Sequence, residues 1–154
     1  MQLVVIQRIL GILLMVFSAT LLPPMAVSLW YEDGAVVPFA IAFGLIFGIG
    51  LLAWIPVSRR RHELRLRDGF VVVVMFWMVL SLTGALPFML SAQPHMSLTD
   101  SVFESVSGLT TTGATVITHL DGLPRSILYY RQQLQWLGGM GIIVLAVAVL
   151  PMLG

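Results

Sequence analysis

The sequence contains neither cysteine nor lysine, and it has few charged residues of either sign. Without cysteine there is no disulfide, no thiolate metal site and no cysteine nucleophile. Eight arginines stand against seven acidic residues, so the net charge of +1 provides no basic patch for nucleic acid. Charged residues make up 10% of the 154 residues, against roughly 25% in soluble domains. Because 58% of the residues are hydrophobic, the composition predicts an integral membrane protein.

Catalytic patterns are also missing from the sequence. The histidines His62, His95 and His119 lie far apart without the spacing of metal ligands, and we expect them in loops. There is no phosphate-binding glycine loop and no nucleophile elbow. The sequence therefore predicts neither an enzyme nor a bound cofactor.

Four apolar segments are present, each close to the ~20 residues that span a bilayer as a helix. They cover residues 3–30, 35–56, 69–92 and about 132–154. Pro23 and Pro24 predict a kink in the first segment, because proline lacks the N–H donor of a continuous helix. We expect an all-α integral membrane fold, in which residues 1–68 form two N-terminal transmembrane helices and a loop, and residues 69–154 form a further unit.

The arginines indicate the orientation of these segments. Five of them lie between the second and third segments, within residues 58–68, and each would cost about 2.5–3.5 kcal/mol at mid-bilayer. The positive-inside rule places this loop and the N-terminus in the cytoplasm, and Arg8 agrees with that side. The first apolar stretch is too long for a cleaved signal peptide.

A shorter helix is predicted between the third and fourth segments, over residues 97–109. Ser97 or Thr99 can cap its start, Ser101 and Glu104 have capping-box spacing, and Gly108 suits its end. Apolar residues recur three to four positions apart at Val102, Phe103, Val106 and Leu109. Twelve or so residues give a helix of ~18 Å, which cannot cross a hydrocarbon core of ~30 Å.

The sequence Thr110-Thr-Thr-Gly-Ala-Thr115 follows this short helix directly. By itself it fits an ordinary threonine-rich loop. If the helix enters the membrane and turns back, the loop becomes non-helical backbone at membrane depth, which occurs where backbone is buried in protein or lines a water-filled path. Backbone carbonyls in such a loop replace the hydration shell of a cation, and Gly113 can adopt a positive φ. A helix, loop and helix in this order favour a channel-like pore unit.

Two stretches resemble a known family: SVFESVSGLTTTGAT, residues 101–115, and YYRQQLQWLGGMGIIVLAVAVLPMLG, residues 129–154. They are similar to the first pore unit of TrkH-type potassium uptake proteins, in the Trk/Ktr/HKT superfamily. The resemblance implies that four such units in one chain surround a single potassium pathway. It also implies that Thr111 and Thr112 coordinate potassium in the filter, that Gly113 is the filter glycine, and that Thr110, Ala114 and Thr115 flank them.

The resemblance further implies partners and location. A TrkH-type protein is expected in the bacterial inner membrane, as a homodimer, with a cytosolic nucleotide-binding regulatory subunit of the TrkA type, and it carries potassium inward. The arginine-rich loop would then contact anionic lipid or that subunit, although topology alone accounts for its charge.

The chain departs from the family by ending at Gly154, before the other three units. It therefore looks like the N-terminal portion of a transporter. The alternative to a potassium-transporting subunit is a non-conducting membrane scaffold, because one filter strand cannot surround a cation.

Two further features bear on the pore unit. Gly138, Gly139 and Gly141 indicate close helix packing, either in general or against the short helix that carries the filter. Glu104 and Arg131 either form a buried pair that fixes this helix or are two solvated side chains.

Overall fold

The structure, a computed structural model, describes residues 3–58 and 66–149, with side chains described for residues 3–58 and 69–143. Over these residues it contains seven α-helices and no strand. The helices are α1 (Leu3–Ala19), α2 (Leu22–Tyr31), α3 (Val36–Trp54), α4 (Leu66–Gly84), α5 (Leu86–Leu90), α6 (Leu98–Leu109) and α7 (Arg125–Val149). His62 and most of the arginine-rich loop lie outside the described residues, while His95 and His119 lie in loops.

Three helical stretches in the described part are long and apolar enough to cross a membrane. They are Leu3–Tyr31, Val36–Val57 and Gly69–Leu90, which agree with the first three predicted segments. The helix of the fourth segment begins at Arg125 rather than near Gln132, and residues 150–154 lie outside the described residues. Its passage across the membrane stays a prediction.

The predicted kink at Pro23 and Pro24 is confirmed as a break between α1 and α2. In a continuous helix these two residues would donate to the carbonyls of Ala19 and Thr20, and proline has no N–H to do so. The freed carbonyl of Thr20 instead accepts a hydrogen bond from the side-chain amide of Gln133 in α7. The hydrogen bond made at this break therefore connects the N-terminal helices to α7.

A second break, between α4 and α5, was not predicted. Pro87 lies in the first turn of α5, and the carbonyl of Gly84 accepts a hydrogen bond from the Tyr130 hydroxyl at 2.8 Å. The Tyr130 ring is fully buried and contacts the rings of Phe39 and Phe88, with centroids 5.5 and 5.2 Å away. Tyr130 thus joins α3, α4, α5 and α7 at the centre of the core.

Small residues permit the closest helix contact in the N-terminal part. A Cβ on Gly11 would lie 2.8 Å from the Gly50 carbonyl oxygen, and one on Gly50 would lie 2.9 Å from the Gly11 oxygen. Helices α1 and α3 therefore pack backbone against backbone, as small residues allow in membrane proteins.

The loop between α2 and α3 contacts the start of α7 through Asp33. Its carboxylate accepts hydrogen bonds from the Ser28 hydroxyl, from the Ala35 N–H and from the Ser126 N–H at 2.9 Å. Because the first N–H groups of a helix lack intrahelical acceptors, Asp33 supplies one for α7 from 93 residues away. This contact joins the loop between α2 and α3 to the first turn of α7.

Candidate functional site at the threonine loop

Helix α6 begins with a side-chain cap. Ser97 is in extended backbone conformation and its hydroxyl accepts from the Asp100 N–H at 3.1 Å. Of the two predicted caps, Ser97 is therefore the one used. The capping-box interpretation of Ser101 and Glu104 is wrong, because both residues lie inside the helix and are buried there. The helix passes through Gly108 and ends at Leu109, which gives the predicted length of twelve residues.

The face of α6 that this chain buries is small and polar. It consists of Ser101, Glu104, Ser105, Ser107 and Gly108, together with Leu109. By contrast, Phe103 is 43% exposed and Val106 is 38% exposed. Of the four apolar residues named from their spacing, only Leu109 belongs to the buried face.

Close backbone approach explains this choice of face. A Cβ on Gly84 of α4 would lie 2.5 Å from the Ser105 hydroxyl oxygen, and one on Gly138 of α7 would lie 1.9 Å from the Leu109 carbonyl oxygen. Neither gap has room for a side chain. Helix α6 is thus inserted between α4 and α7 at distances that only small residues permit.

We call residues 110–116 the threonine loop; every one of them is exposed in this chain. Its first half hydrogen-bonds to the end of α6 through backbone N–H groups. Thr111 N–H donates to the Gly108 carbonyl at 3.0 Å, and the N–H groups of Thr112 and Gly113 both donate to the Ser107 carbonyl, at 3.0 and 3.4 Å. Three successive N–H groups therefore point towards α6.

These bonds fix the direction of the carbonyls. No peptide bond between Gly108 and Val116 is cis, and in a trans peptide the carbonyl points opposite to the N–H of the next residue. The carbonyls of Thr110, Thr111 and Thr112 accordingly point away from α6, to the exposed side of the loop. Oxygens turned to one side in this way are a possible set of cation ligands.

The backbone conformation required for this arrangement is unusual at two positions. Gly113 has a φ of +75° and Thr111 has a φ of +57°. A positive φ is ordinary for glycine but uncommon for threonine, whose Cβ crowds the backbone. The sequence predicted the positive φ of Gly113 but not that of Thr111, because a threonine in a sequence does not indicate left-handed backbone.

The second half of the threonine loop hydrogen-bonds to side chains of α6. The Ser107 hydroxyl donates to the Ala114 carbonyl at 2.6 Å, so this carbonyl points towards the helix. Glu104 Oε1 accepts from the Thr115 hydroxyl and from the Val116 N–H, the latter at 2.8 Å. Ser107 was not among the residues that the sequence singled out, although it lies one helical turn from Glu104.

Glu104 and Arg131 form a buried ion pair, which settles the alternative between a pair and two solvated side chains. Arg131 Nε lies 3.0 Å from Glu104 Oε2, and the two residues are 8% and 3% exposed. Glu104 thereby bridges α7, α6 and the end of the threonine loop. A buried charge of this kind is stable only when it is paired and hydrogen-bonded, as here.

The three glycines of α7 make different contacts. Gly138 packs against the last residue of α6, a Cβ on Gly139 would make an ordinary 3.8 Å contact with the Thr111 methyl group, and one on Gly141 would lie 3.4 Å from the Trp77 ring. Two of the three therefore lie beside the end of α6 or the threonine loop, and the third faces α4.

Comparison with known proteins identifies the family. A sequence model of the TrkH family, described as a cation transport protein, matches residues 37–154. This chain belongs to the TrkH family. It is 59% identical over 154 residues to the Trk system potassium uptake protein TrkH of Halomonas elongata and 54% identical over 149 residues to that of Escherichia coli strain K12.

A solved structure shows the same fold. The crystal structure of the potassium transporter TrkH from Vibrio parahaemolyticus matches with a TM-score of 0.93 and 57% identity, over 98% of this chain and 32% of that one. The all-α channel-like membrane fold is confirmed. The chain spans about a third of the length of the curated relatives it matches, 32% for the Halomonas elongata protein.

Proposed function

We propose that this chain supplies the first of several pore units in a Trk-type potassium uptake protein, in which the Thr111 and Thr112 carbonyls coordinate K⁺. The observation that carries the proposal is the set of N–H groups of residues 111–113, which all donate to α6 and turn the preceding carbonyls to the exposed side. The named function of the relatives, potassium uptake, agrees with cation ligands of this type.

The electrostatics of the loop support a cation rather than an anion. Helix α6 ends directly at the loop, and the C-terminus of a helix carries a partial negative charge. Residues 105–118 contain no charged side chain, so the carbonyl dipoles act without a fixed countercharge. Neutral oxygens suit an ion that must enter and leave quickly.

The chain contributes only part of such a site. One loop offers carbonyls from one side, and the exposed Phe103 and Val106 on α6 leave an apolar surface beside it. The relatives are about three times as long as this chain. We infer that further units complete the coordination shell and cover this surface.

The remaining features of the proposal follow the family. We place the protein in the bacterial inner membrane with a cytoplasmic N-terminus, with α6 and the threonine loop re-entering from the outer side. A homodimer and a cytosolic nucleotide-binding subunit of the TrkA type are the proposed protein partners. The five arginines within residues 58–68 support this orientation, because arginine-rich loops lie on the cytoplasmic side.

The test is potassium uptake in a bacterium that lacks its own uptake systems. Two proteins are compared: this chain alone, and a chimera in which it replaces the matching N-terminal third of the Vibrio parahaemolyticus TrkH. We expect the chimera to restore growth at low potassium and the chain alone to fail. Membrane abundance of each protein is measured in parallel.

The outcomes separate the two readings of the chain. Loss of rescue when Gly113→Ser is introduced into the chimera supports the filter, because a side chain at that φ disturbs the loop backbone. Rescue by that variant equal to the parent, at equal abundance, would contradict it. A chimera that reaches the membrane but transports nothing would instead favour the non-conducting scaffold.

A further inference from the structure

One buried carboxylate of the chain contacts the threonine loop without lying on its exposed side. Glu104 is 3% exposed, and Oε1 accepts from both the Thr115 hydroxyl and the Val116 N–H. Its other oxygen, Oε2, accepts from Arg131 Nε at 3.0 Å. Both oxygens are therefore engaged, one with the loop and one with α7.

The contacts of Glu104 lie at the opposite end of the threonine loop from the backbone bonds that fix its first carbonyls. The carbonyls of Thr111 and Thr112 are fixed at the start of the loop by backbone bonds to α6. At the other end, the Glu104 bonds to Thr115 and Val116, together with the Ser107 bond to the Ala114 carbonyl, join the loop to α6. Glu104 thus sets the far end of the loop that carries the carbonyls.

Arg131 determines how the carboxylate is presented. Its Nε donates a hydrogen bond to Oε2 and orients the carboxylate so that Oε1 faces the loop. Oε1 thereby accepts from both donors that the loop presents, the Thr115 hydroxyl and the Val116 N–H.

We propose that Glu104 is a positioning residue for ion selection, which fixes the end of the threonine loop and so the spacing of its coordinating carbonyls. The proposal rests on the proposed function of the loop and assigns to it a residue that never contacts the ion. Arg131 acts through Glu104 by orienting it.

Two double variants of the chimera distinguish the hydrogen-bond acceptor at residue 104 from the charge of the Glu104–Arg131 pair. In Glu104→Gln/Arg131→Gln, the new amide oxygen at 131 takes the place of Nε and accepts from the new amide at 104, so Oε1 still faces the loop. In Glu104→Leu/Arg131→Met, the pair is replaced by apolar side chains and the loop loses its acceptor. Neither variant leaves a buried unpaired charge.

The measurement is the ratio of rubidium to sodium uptake, normalised to the amount of protein in the membrane. A purely structural role would lower both fluxes together and leave the ratio unchanged. We expect the glutamine pair to keep the parent ratio within about twofold and the apolar pair to lower it about tenfold, because both loop hydrogen bonds to Oε1 are lost together. A parent ratio in the apolar pair, or an equal loss in both pairs, would overturn the proposal.

A milder variant covers the case in which the apolar pair does not fold. Thr115→Val keeps the Glu104–Arg131 pair and the Val116 N–H bond, and removes the hydroxyl that donates to Oε1. We expect a fall of a few-fold in the same ratio at unchanged abundance. An unchanged ratio would count against the proposal, whereas a parent chimera that carries no rubidium would contradict the proposed function itself.

Discussion

The two halves of the threonine loop are fixed by different kinds of partner. Residues 110–113 hydrogen-bond to backbone carbonyls of Val106, Ser107 and Gly108, whereas residues 114–116 hydrogen-bond to the side chains of Ser107 and Glu104. A backbone acceptor survives every substitution, while a side-chain acceptor disappears with one. The first half therefore depends on where the end of α6 lies, and the second half depends on two residues.

The largest effect is expected where the end of α6 is displaced. In Gly138→Ala the new Cβ would lie 1.9 Å from the Leu109 carbonyl oxygen, so α6 and the first half of the loop must move. We expect uptake by the chimera to fall more than tenfold, with a loss of about 1–3 kcal/mol in stability or more. Rubidium uptake and thermal unfolding in detergent measure the two effects.

Gly139→Ala is the matched control for this prediction. It adds the same methyl group to the next residue of the same helix, gains the same helix propensity, and meets only an ordinary contact at 3.8 Å. Its effect should be much smaller. Equal losses in both variants would show that the close contact at Leu109 is not what positions the first half.

Gly113→Ser changes the first half without moving the helix. A Cβ at Gly113 has no atom within 4 Å, so the cost comes from the φ of +75° alone, about 1–2 kcal/mol for a residue with a side chain. We expect uptake to fall about tenfold while protein abundance changes little. Reduced abundance in proportion to the lost uptake would contradict an effect on the loop backbone.

Ser107→Ala tests the second half of the threonine loop alone, because it removes a hydrogen bond only from that half. The Ser107 carbonyl continues to accept from Thr112 and Gly113, while the hydroxyl bond to the Ala114 carbonyl is lost. We expect a loss of about 1 kcal/mol and a few-fold lower uptake. Ser105→Ala is the control, since the buried Ser105 hydroxyl has no hydrogen-bond partner in the described residues. An equal effect of Ser105→Ala would contradict a specific role for the Ser107 hydroxyl bond.

The smallest effect concerns Asp33, which contacts the start of α7. Burial raises the pKa of Asp33, but the hydrogen bonds from Ser28, Ser126 and Ala35 together outweigh it and hold the pKa of this carboxyl below its ordinary value. A carboxyl with a lowered pKa stabilises the fold fully above its unfolded pKa, and this contribution is lost as pH falls through the folded pKa. Asp33→Asn should therefore weaken the loss of thermal stability on acidification from about pH 5 to pH 3.

The Asp33 variant also distinguishes the two halves of the loop. Arg131 lies five residues beyond Ser126 on α7 and Gly138 lies twelve beyond it, so a loosened helix start should affect the second half more. The rubidium to sodium ratio of the variant, compared with that of Gly138→Ala, measures this. An acid profile identical to the parent would show that the contact contributes nothing.

Hydropathy and proline positions predicted much of the architecture. The first three apolar segments, the break at Pro23 and Pro24 and the length of α6 were all predictable, since each follows from neighbours in the chain. The break before Pro87 was missed because mean hydropathy continues through it. The start of α7 was also missed, because Arg131, Gln132 and Gln133 interrupt the apolar run, and because the partner of the Ser126 N–H, Asp33, lies in another loop.

The buried face of α6 shows where periodicity fails in this protein. Apolar spacing identifies a face that avoids water, but inside a membrane protein the tightest helix contacts use small and polar residues. Ser105 fits against Gly84, and Leu109 against Gly138, because of the distance between α4 and α7. The residues of α6 itself, 98–109, do not determine the distance between α4 and α7.

The sequence by itself determined the class of the protein, the position of the spanning segments, the short helix and the glycine at 113, because these depend on composition and local backbone chemistry. Only the tertiary structure decided that Glu104 pairs with Arg131, that Ser107 contacts Ala114, and that three carbonyls turn away from α6. These depend on which surfaces of α6 and α7 meet. Residues 27 positions apart are brought to 3.0 Å by helix packing, and no local pattern specifies that distance.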